Sequence, residues 1–281
     1  MLFINPKIDF AFKKIFGSED SKDILISFLN ALIYEEQPVI QDLEILKPYL
    51  TPKIRGVKDT YLDIKARIID ENHNTRSVII EIQVLNVEGF KKQILYSAAK
   101  SYSTKLTNRQ NYNLLLNPVI ALTITDFVMF PEIEQVLSKF VLEEKDFLID
   151  YPIYDIELIF VELPKFKKQL SELRLMIDKW LYFLTQARSL LQVPEVMGEI
   201  PEIKKAFDIA NQENFTLNEL KDQAKSEIFI QEQRTVISKS VREGVERNTA
   251  KIAKKMLNVI DDRTICEITG LSLAELEALK V

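Results

Sequence analysis

Tyr61-Leu-Asp-Ile-Lys-Ala-Arg-Ile68 and Val78-Ile-Ile-Glu-Ile-Gln-Val84 are the two stretches that decide the fold of this chain. Apolar residues occupy every second position in both stretches, which is the pattern of a β-strand with one buried face. Residues 70–75 between them read Asp-Glu-Asn-His-Asn-Thr and are mostly turn formers. The sequence therefore predicts an antiparallel hairpin with its turn centred near Asn72.

The polar face of this hairpin carries two carboxylates. Counting outward from Asn72 sets Asp63 directly across from Glu81, on the face away from Ile64 and Ile82. Facing residues on antiparallel strands have Cβ atoms about 4.5–5.5 Å apart, so two bare carboxylates would repel each other. A bound divalent cation would remove that cost, and carboxylate-rich sites prefer Mg²⁺ or Mn²⁺. Without a cation, both would be ordinary polar residues of a solvated sheet face.

The composition excludes several classes of protein. The chain has 281 residues, 47% of them hydrophobic and 28% charged, as in folded rather than disordered proteins. Its single histidine, His73, lies in the predicted turn, which argues against catalytic triads, zincin motifs and multi-histidine metal sites. There are 6 glycines and no glycine-rich phosphate loop, so the common nucleotide-binding folds are not expected.

Several sequence features predict a cytoplasmic protein. No apolar run approaches the length of a membrane span, and residues 1–14 do not have the pattern of a signal peptide. The single cysteine, Cys266, rules out internal disulfides and fits a reducing cytosol.

The net charge of −5 argues weakly against nucleic-acid binding. However, residues 1–110 carry a balance of +2 and the remainder −7, so the basic share falls on the part with the hairpin.

Further elements follow from helical periodicity and from apolar runs. The predicted order is a short helix at 10–16, a helix at 22–34, a strand at 43–46, the hairpin, a helix at 88–106, and strands at 119–125 and 156–161. Residues 166–191 and 202–260 are predicted to be helical, the latter with a break near 211–216. Residues 261–279 are predicted to form two short helices joined at Gly270.

Five short motifs, spread over nearly the whole chain, carry a family resemblance. They are Asp9-Phe-Ala-Phe-Lys-Lys-Ile-Phe-Gly17, Leu62-Asp-Ile-Lys65, Ile80-Glu-Ile-Gln83, Ala253-Lys-Lys-Met-Leu257 and Ile268-Thr-Gly-Leu-Ser272. They resemble, in this order, the opening motif, the two catalytic strands and the C-terminal tail of one bacterial family. That family is the recombination-promoting nuclease and transposase family, within the PD-(D/E)XK nuclease superfamily.

The resemblance implies both a fold and a function. The implied fold is α/β, with a restriction-endonuclease-like core (a mixed sheet flanked by helices) and a helical C-terminal extension. It divides the chain into a nuclease-like core at 1–165, a helical extension at 166–235, and a charged helix with a small helix-turn-helix-like tail at 236–281. The implied function is metal-dependent DNA cleavage by an endonuclease linked to recombination, mobile elements or defence. Asp63 and Glu81 would hold the Mg²⁺ or Mn²⁺ ion.

Gln83 is the position at which the chain departs from the superfamily's name, which expects a lysine. A glutamine orients a water or a phosphate, but it carries no positive charge and accepts no proton as an amine would. The named family is similar in having glutamine here. Lys65 is the candidate substitute, because it lies on the face of Asp63 and diagonal to Glu81. The departure also leaves a second function open, namely a catalytically weak or inactive nuclease fold that binds DNA or a protein partner.

The remaining candidate residues each have a structural alternative. Asp9 is either an active-site residue or the N-cap of the first helix. Lys92, Tyr96 and Lys100 recur at i, i+4 and i+8 of the predicted helix at 88–106 and are candidates, with Lys13, for contacts with DNA. An ordinary exposed helix face with long amphipathic side chains would explain the same spacing.

The end of the chain has the outline of a helix-turn-helix, with Gly270 between two short amphipathic helices. A recognition helix would need arginine, lysine, asparagine or glutamine at its start. The second helix instead offers Ala274, Glu275 and Glu277, and phosphates would repel the two acids. We therefore predict that this segment serves in packing or in self-association. The self-associated form would be a homodimer through the C-terminal helices.

Overall fold

A mixed β-sheet flanked by helices organises the larger part of the chain. The computed structural model describes residues 3–46, 64–103 and 118–280. Within these ranges the sheet has six strands in the order β1-β2-β3-β4-β6-β5. The strands are β1 (Ile40–Leu46), β2 (Ile64–Asp70), β3 (Thr75–Gln83), β4 (Val119–Thr125), β5 (Leu137–Phe140) and β6 (Ile156–Glu162). The β3–β4 and β4–β6 pairs are parallel and the other pairs are antiparallel.

The predicted hairpin is present, in the predicted register. β2 and β3 are antiparallel, with Ile64 opposite Ile80 and Lys65 opposite Ile79. Ile64 and Ile80 are buried on one face, as the alternation predicts, while Lys65 is half-buried on the other. Asp63 directly precedes β2 in the sequence and lies outside the described residues, together with the first part of the predicted strand.

The turn of this hairpin is built around one carboxylate. Asp70 accepts hydrogen bonds from the backbone N–H groups of Asn72 and Asn74, each at 2.8 Å. His73 has a φ of 59°, in the left-handed region that turn residues occupy. The prediction that His73 is a turn residue is therefore confirmed.

Nine α-helices fall within the described ranges. They are α1 (Asp9–Phe16), α2 (Lys22–Ile33), α3 (Phe90–Ser103), α4 (Met176–Gln186), α5 (Glu195–Gly198), α6 (Pro201–Ala210), α7 (Leu217–Met256), α8 (Asp262–Thr269) and α9 (Leu273–Ala278). Among these helices, none is both long and apolar enough to cross a membrane.

Helix α3 covers one face of the sheet. Its apolar residues Phe90, Ile94 and Ala98 are buried against Ile79 of β3 and Ala121 of β4. The strand predicted at 119–125 is present with the same bounds, and all of its residues are buried. This agrees with the near-continuous apolar run, which is typical of a parallel strand covered on both faces.

Helices α1, α2, α4 and α6 pack against one another around an aromatic cluster, and α2 also packs against β1. Phe16, Phe28 and Phe183 each place a ring within 6.0 Å of the Trp180 ring centroid, and Trp180 is fully buried. Aromatic pairs with this spacing stabilise a core by about 0.5–1.5 kcal/mol beyond their buried area. The cluster fixes the N-terminal helices against the segment that follows the sheet.

The structure differs from the sequence predictions at the start of α4 and at β5. The helical stretch predicted from 166 begins only at Met176, because the Asp178 carboxylate accepts the backbone N–H groups of Arg174 and Leu175 at 3.1 Å and so closes the start of α4. Strand β5 was not predicted. This strand has only four residues, lies at the edge of the sheet and includes the exposed Lys139. Four residues are too few for an alternation of apolar and polar side chains to be recognised in the sequence.

The chain divides into two compact units, Met1–Glu227 and Ile228–Val281. In the smaller unit, Ala253 of α7, Ile265 of α8 and Leu276 of α9 form a buried core. Gly270, at a φ of 73°, ends α8, and the Ser272 side chain caps α9. Two short helices joined at Gly270 are thus confirmed, while the predicted three-part division of the chain at 165 and 235 stays a prediction.

Candidate active site

The candidate site lies toward the carboxyl ends of the central strands, on the face covered by α3. β3, β4 and β6 are parallel neighbours, and Gln83, Thr125 and Glu162 lie side by side at their ends. Glu81 is two residues before the end of β3, on the same face as Gln83. In open α/β sheets, ligands bind outside the carboxyl ends of parallel strands, so these residues are placed where chemistry is expected.

Glu81 is the most unusual of these groups. It is only 7% exposed, and burial raises the pKa of its carboxyl from 4.5 to about 7. The Gln93 side-chain amide of α3 donates a hydrogen bond to Glu81 Oε1 at 3.1 Å. Burial disfavours the charged form of a carboxylate unless a cation or several donors compensate. Glu81 therefore has the environment of a group that binds either a proton or a cation.

Gln93 was not predicted as a site residue, because the spacing of four residues that joins Lys92, Tyr96 and Lys100 of the same helix does not include it. Lys92 and Tyr96 are exposed, and Lys100 is half-buried with its Nζ 5.8 Å from the centroid of the Tyr96 ring. Gln93 borders the buried stripe that contains Ile94, so it faces the sheet. The helical period of that apolar stripe was the signal that could have identified it.

Gln83 is the last residue of β3 and is held by one side-chain and one backbone hydrogen bond. Its side-chain amide donates to the backbone carbonyl oxygen of Leu85 at 2.8 Å, and its backbone carbonyl oxygen accepts the Asp126 N–H at 2.9 Å. Asp126 in turn forms an ion pair with Lys7 at 2.9 Å, and both side chains are largely buried. Neither Lys7 nor Asp126 was predicted, although Asp126 directly follows the end of β4.

Glu162 is a second buried carboxylate at this end of the sheet, and both of its carboxylate oxygens accept hydrogen bonds from neighbouring residues. It is 0% exposed, forms an ion pair with Lys165, and accepts the backbone N–H groups of Met129 and Phe130. These contacts hold the segment after β4 against β6. The described geometry gives Glu162 a structural role.

Asp9 is the first residue of α1, so of its two alternatives the N-cap is wrong and the active-site role stays a prediction. The N-cap is Ile8, because the Phe12 N–H already donates to the Ile8 carbonyl at 2.8 Å. The Asp9 carboxylate forms an ion pair with Lys13 one turn later, at 2.6 Å. An acid in the first turn is also favoured by the helix dipole.

The second predicted metal ligand, Asp63, lies outside the described residues. Within the described ranges, no three histidine, cysteine, aspartate or glutamate side chains come together as a metal site. Glu81 itself fits as a ligand, since it is a buried carboxylate with an amide partner and hard cations prefer oxygen donors. A cation held there would complete its coordination with further oxygen ligands, from protein, water or substrate phosphate.

Comparison with known proteins agrees with this fold. The sequence model of the PD-(D/E)XK nuclease family transposases matches residues 6–240, a range that includes the hairpin, Glu81 and α3. No curated protein and no solved structure matches the chain significantly. The six-stranded mixed sheet flanked by helices is consistent with the restriction-endonuclease-like fold, and the match supports a nuclease-type function. The chain therefore belongs to the PD-(D/E)XK nuclease family transposases.

Proposed function

We propose that this protein is a metal-dependent DNA endonuclease that acts in recombination, in the movement of mobile elements or in defence against foreign DNA. The observation that carries the proposal is the burial of Glu81 in a chain of a nuclease family. A polar residue of a solvated sheet face would be exposed and would keep an ordinary pKa. Glu81 is neither exposed nor ordinary in its pKa, so the solvated-face alternative does not account for it.

We assign Asp63 and Glu81 as the metal ligands, with Mg²⁺ or Mn²⁺ as the expected ion. Extending the register of Ile64 and Ile80 by one residue would pair Asp63 with Glu81. A divalent cation held by these two carboxylates would lower the pKa of a bound water and neutralise charge on the phosphate. The Gln93 amide, hydrogen-bonded to Oε1, would fix the orientation of the Glu81 carboxylate.

We assign the transfer of the proton from the attacking water to a lysine of β2. Lys65 is half-buried on the sheet face of Glu81, and we propose that its amine takes the place of the lysine that the superfamily has at Gln83. Asp9 would have an auxiliary role at the active site.

Contacts with the DNA backbone are assigned to exposed or half-buried side chains, namely Lys13, Lys92, Tyr96 and Lys100. A cytoplasmic location and a homodimer complete the proposal.

Plasmid cleavage with Mg²⁺ or Mn²⁺ tests the metal ligands. Asp63→Asn and Glu81→Gln should each abolish cleavage and largely spare the fold, because each substitution removes a charge and keeps the side-chain shape. Glu88→Gln, at an exposed glutamate just before α3, is the matched control and should cleave like the wild type. If both site variants still cleave and EDTA still inhibits them, the metal is bound elsewhere.

A second assay tests the proton acceptor. Lys65→Met keeps most of the side-chain stem and removes the amine, so it should lower the cleavage rate by about 10²–10⁴-fold if Lys65 is the general base. Gln83→Lys should keep or raise the rate. If Lys65→Met cleaves at the wild-type rate at every pH, Lys65 has no role in the proton transfer.

One observation favours the second function, a nuclease fold that binds DNA or a protein without cutting. The Gln83 side-chain amide donates to the Leu85 carbonyl, so in this conformation one of its two N–H groups is committed to the backbone and not to a water beside Glu81. In that case the wild type would bind DNA without cleavage in Mg²⁺ or Mn²⁺. Lys92→Ala would then lower the slope of log affinity against log salt by about one.

A further inference from the structure

An exposed hairpin leaves the sheet between β5 and β6. The Tyr151 N–H donates to the Leu142 carbonyl at 2.9 Å, and the Glu144 N–H donates to the Ile149 carbonyl at 2.8 Å, so residues 142–151 form a narrow arm. The three consecutive tip residues Phe147, Leu148 and Ile149 are 79%, 73% and 63% exposed. Single exposed apolar residues are ordinary, but a contiguous apolar tip indicates an interaction site.

The arm is remote from the candidate active site. In the register of the parallel strands, Ile156 lies beside Val119 and Ser77, whereas Glu162 lies beside Thr125 at the end of the sheet that holds Gln83. The arm joins the sheet just before Ile156, at the opposite end. Its apolar tip is therefore not a wall of the proposed nuclease site.

The charges on the arm specify the partner. Four acids accompany the apolar tip and only one base does, which gives the arm a net charge of −3; the residues are Glu143, Glu144, Lys145, Asp146 and Asp150. A surface that buries the tip must bring these acids close to itself. Basic apolar surfaces are complementary to the arm, and acidic ones are repelled by it.

Helix α7 carries such a surface. Ile237, Val241, Val245 and Ile252 are all exposed, and their spacing of four, four and seven places them on one face of the helix. Helices in proteins gain most of their stability by burying a stripe of this kind. Within the part of the chain that the structure describes, this stripe is exposed to solvent.

The border of this stripe is basic. Residues 234–255 contain seven lysines and arginines against two acids. By the helical period, Arg242, Lys251 and Lys255 border the stripe, and Glu243 and Glu246 lie toward the opposite side of α7. Glu246 forms an ion pair with Arg242 at 3.8 Å, which leaves Lys251 and Lys255 as the main positive charges beside the stripe. Two α7 stripes packed together would therefore bring like charges together, whereas the arm would bring opposite charges.

We propose that the arm of one copy packs on the α7 stripe of a second copy, in a reciprocal dimer with two such contacts. The proposal places self-association on the arm and on α7, and not on the segment at 261–279 for which the sequence predicted it. It does not depend on the nuclease chemistry, because neither surface includes a residue of the candidate active site. Reciprocal contacts of this kind are what two-fold symmetric dimers use.

Sedimentation of the full chain tests the proposal. The wild type should form a dimer. Two double variants should each raise the dissociation constant of the dimer by at least tenfold, roughly the effect of losing one anchor residue from an interface. They are Phe147→Ser with Leu148→Ser in the arm, and Val241→Gln with Val245→Gln in α7. Leu191→Ser is the matched control, since Leu191 is 72% exposed in another loop. A monomeric wild type, or a dimer that neither double substitution weakens, overturns the proposal.

Mixing the two double variants identifies the contact itself. Each variant supplies the surface that the other lacks, so one of the two contacts is intact and the mixture should associate more tightly than either variant alone. A mixture as weak as its components overturns the pairing of arm and helix, even where both surfaces matter. Glu81→Gln should dimerise like the wild type, which separates this result from any failure of the nuclease proposal.

Discussion

Replacement of the buried Glu81 carboxylate should stabilise the metal-free protein at alkaline pH. Burial raises the folded-state pKa of Glu81 from 4.5 to about 7, so between these values the folded chain holds a proton that the unfolded chain releases. The contribution of this proton to the free energy of unfolding is complete below pH 4.5 and is lost as the pH rises through about 7. At about 1.36 kcal/mol for each pKa unit, the loss is about 3 kcal/mol.

The variant Glu81→Gln keeps an oxygen that accepts the Gln93 hydrogen bond and removes the titration. In EDTA the variant and the wild type should differ by less than about 1 kcal/mol at pH 5, and the variant should be more stable by about 3 kcal/mol at pH 8. Since 1 kcal/mol moves the Tm of a domain of 150–250 residues by about 2–4 °C, the gap at pH 8 should be roughly 6–12 °C. Trp180, the single tryptophan, is fully buried in the larger unit and reports its unfolding by fluorescence.

The control for this measurement is Glu88→Gln, which makes the same chemical change at an exposed position and should show no pH-dependent gap. Adding Mg²⁺ or Mn²⁺ should stabilise the wild type and leave Glu81→Gln unchanged, because ligands that bind only the folded state add to its stability. A difference between wild type and Glu81→Gln that is the same at pH 5 and pH 8 would refute the reasoning from burial.

Three further substitutions test other parts of the fold. Glu162→Gln leaves the Lys165 charge buried without its partner and should cost about 3–5 kcal/mol in a denaturant titration followed by Trp180; a loss below about 1 kcal/mol would contradict the buried pair. Gly244→Ala should raise the thermal stability of α7, measured by circular dichroism, by roughly 0.5–1 kcal/mol, since no atom lies within 4 Å of the added Cβ; destabilisation would mean that this space is used. Ser272→Ala should cost about 1 kcal/mol in the smaller unit, because the Ser272 hydroxyl caps α9; an unchanged unfolding curve would dismiss the cap.

The register of the β2–β3 hairpin was predictable because the side-chain period of a strand is two. A slip of one residue would have turned Ile64 and Ile80 out of the core, so the alternation admits one pairing. The break between α6 and α7 and the glycine that ends α8 were likewise visible, since each depends on residues that are neighbours in sequence. Local pattern was sufficient wherever the deciding interactions are local.

The contacts that define the candidate site join residues that are distant in sequence. Lys7 pairs with Asp126 across 119 positions, and Glu162 holds backbone groups more than 30 positions earlier. A periodic pattern shows which face of a strand or helix is apolar, but not which polar residue is brought opposite another. Alternation placed Glu81 on the polar face, and only the packing of α3 over the sheet buried it and gave it the Gln93 amide. Burial and charge pairing belong to the assembled fold, because they depend on how the elements pack and not on the order of the residues within any one of them.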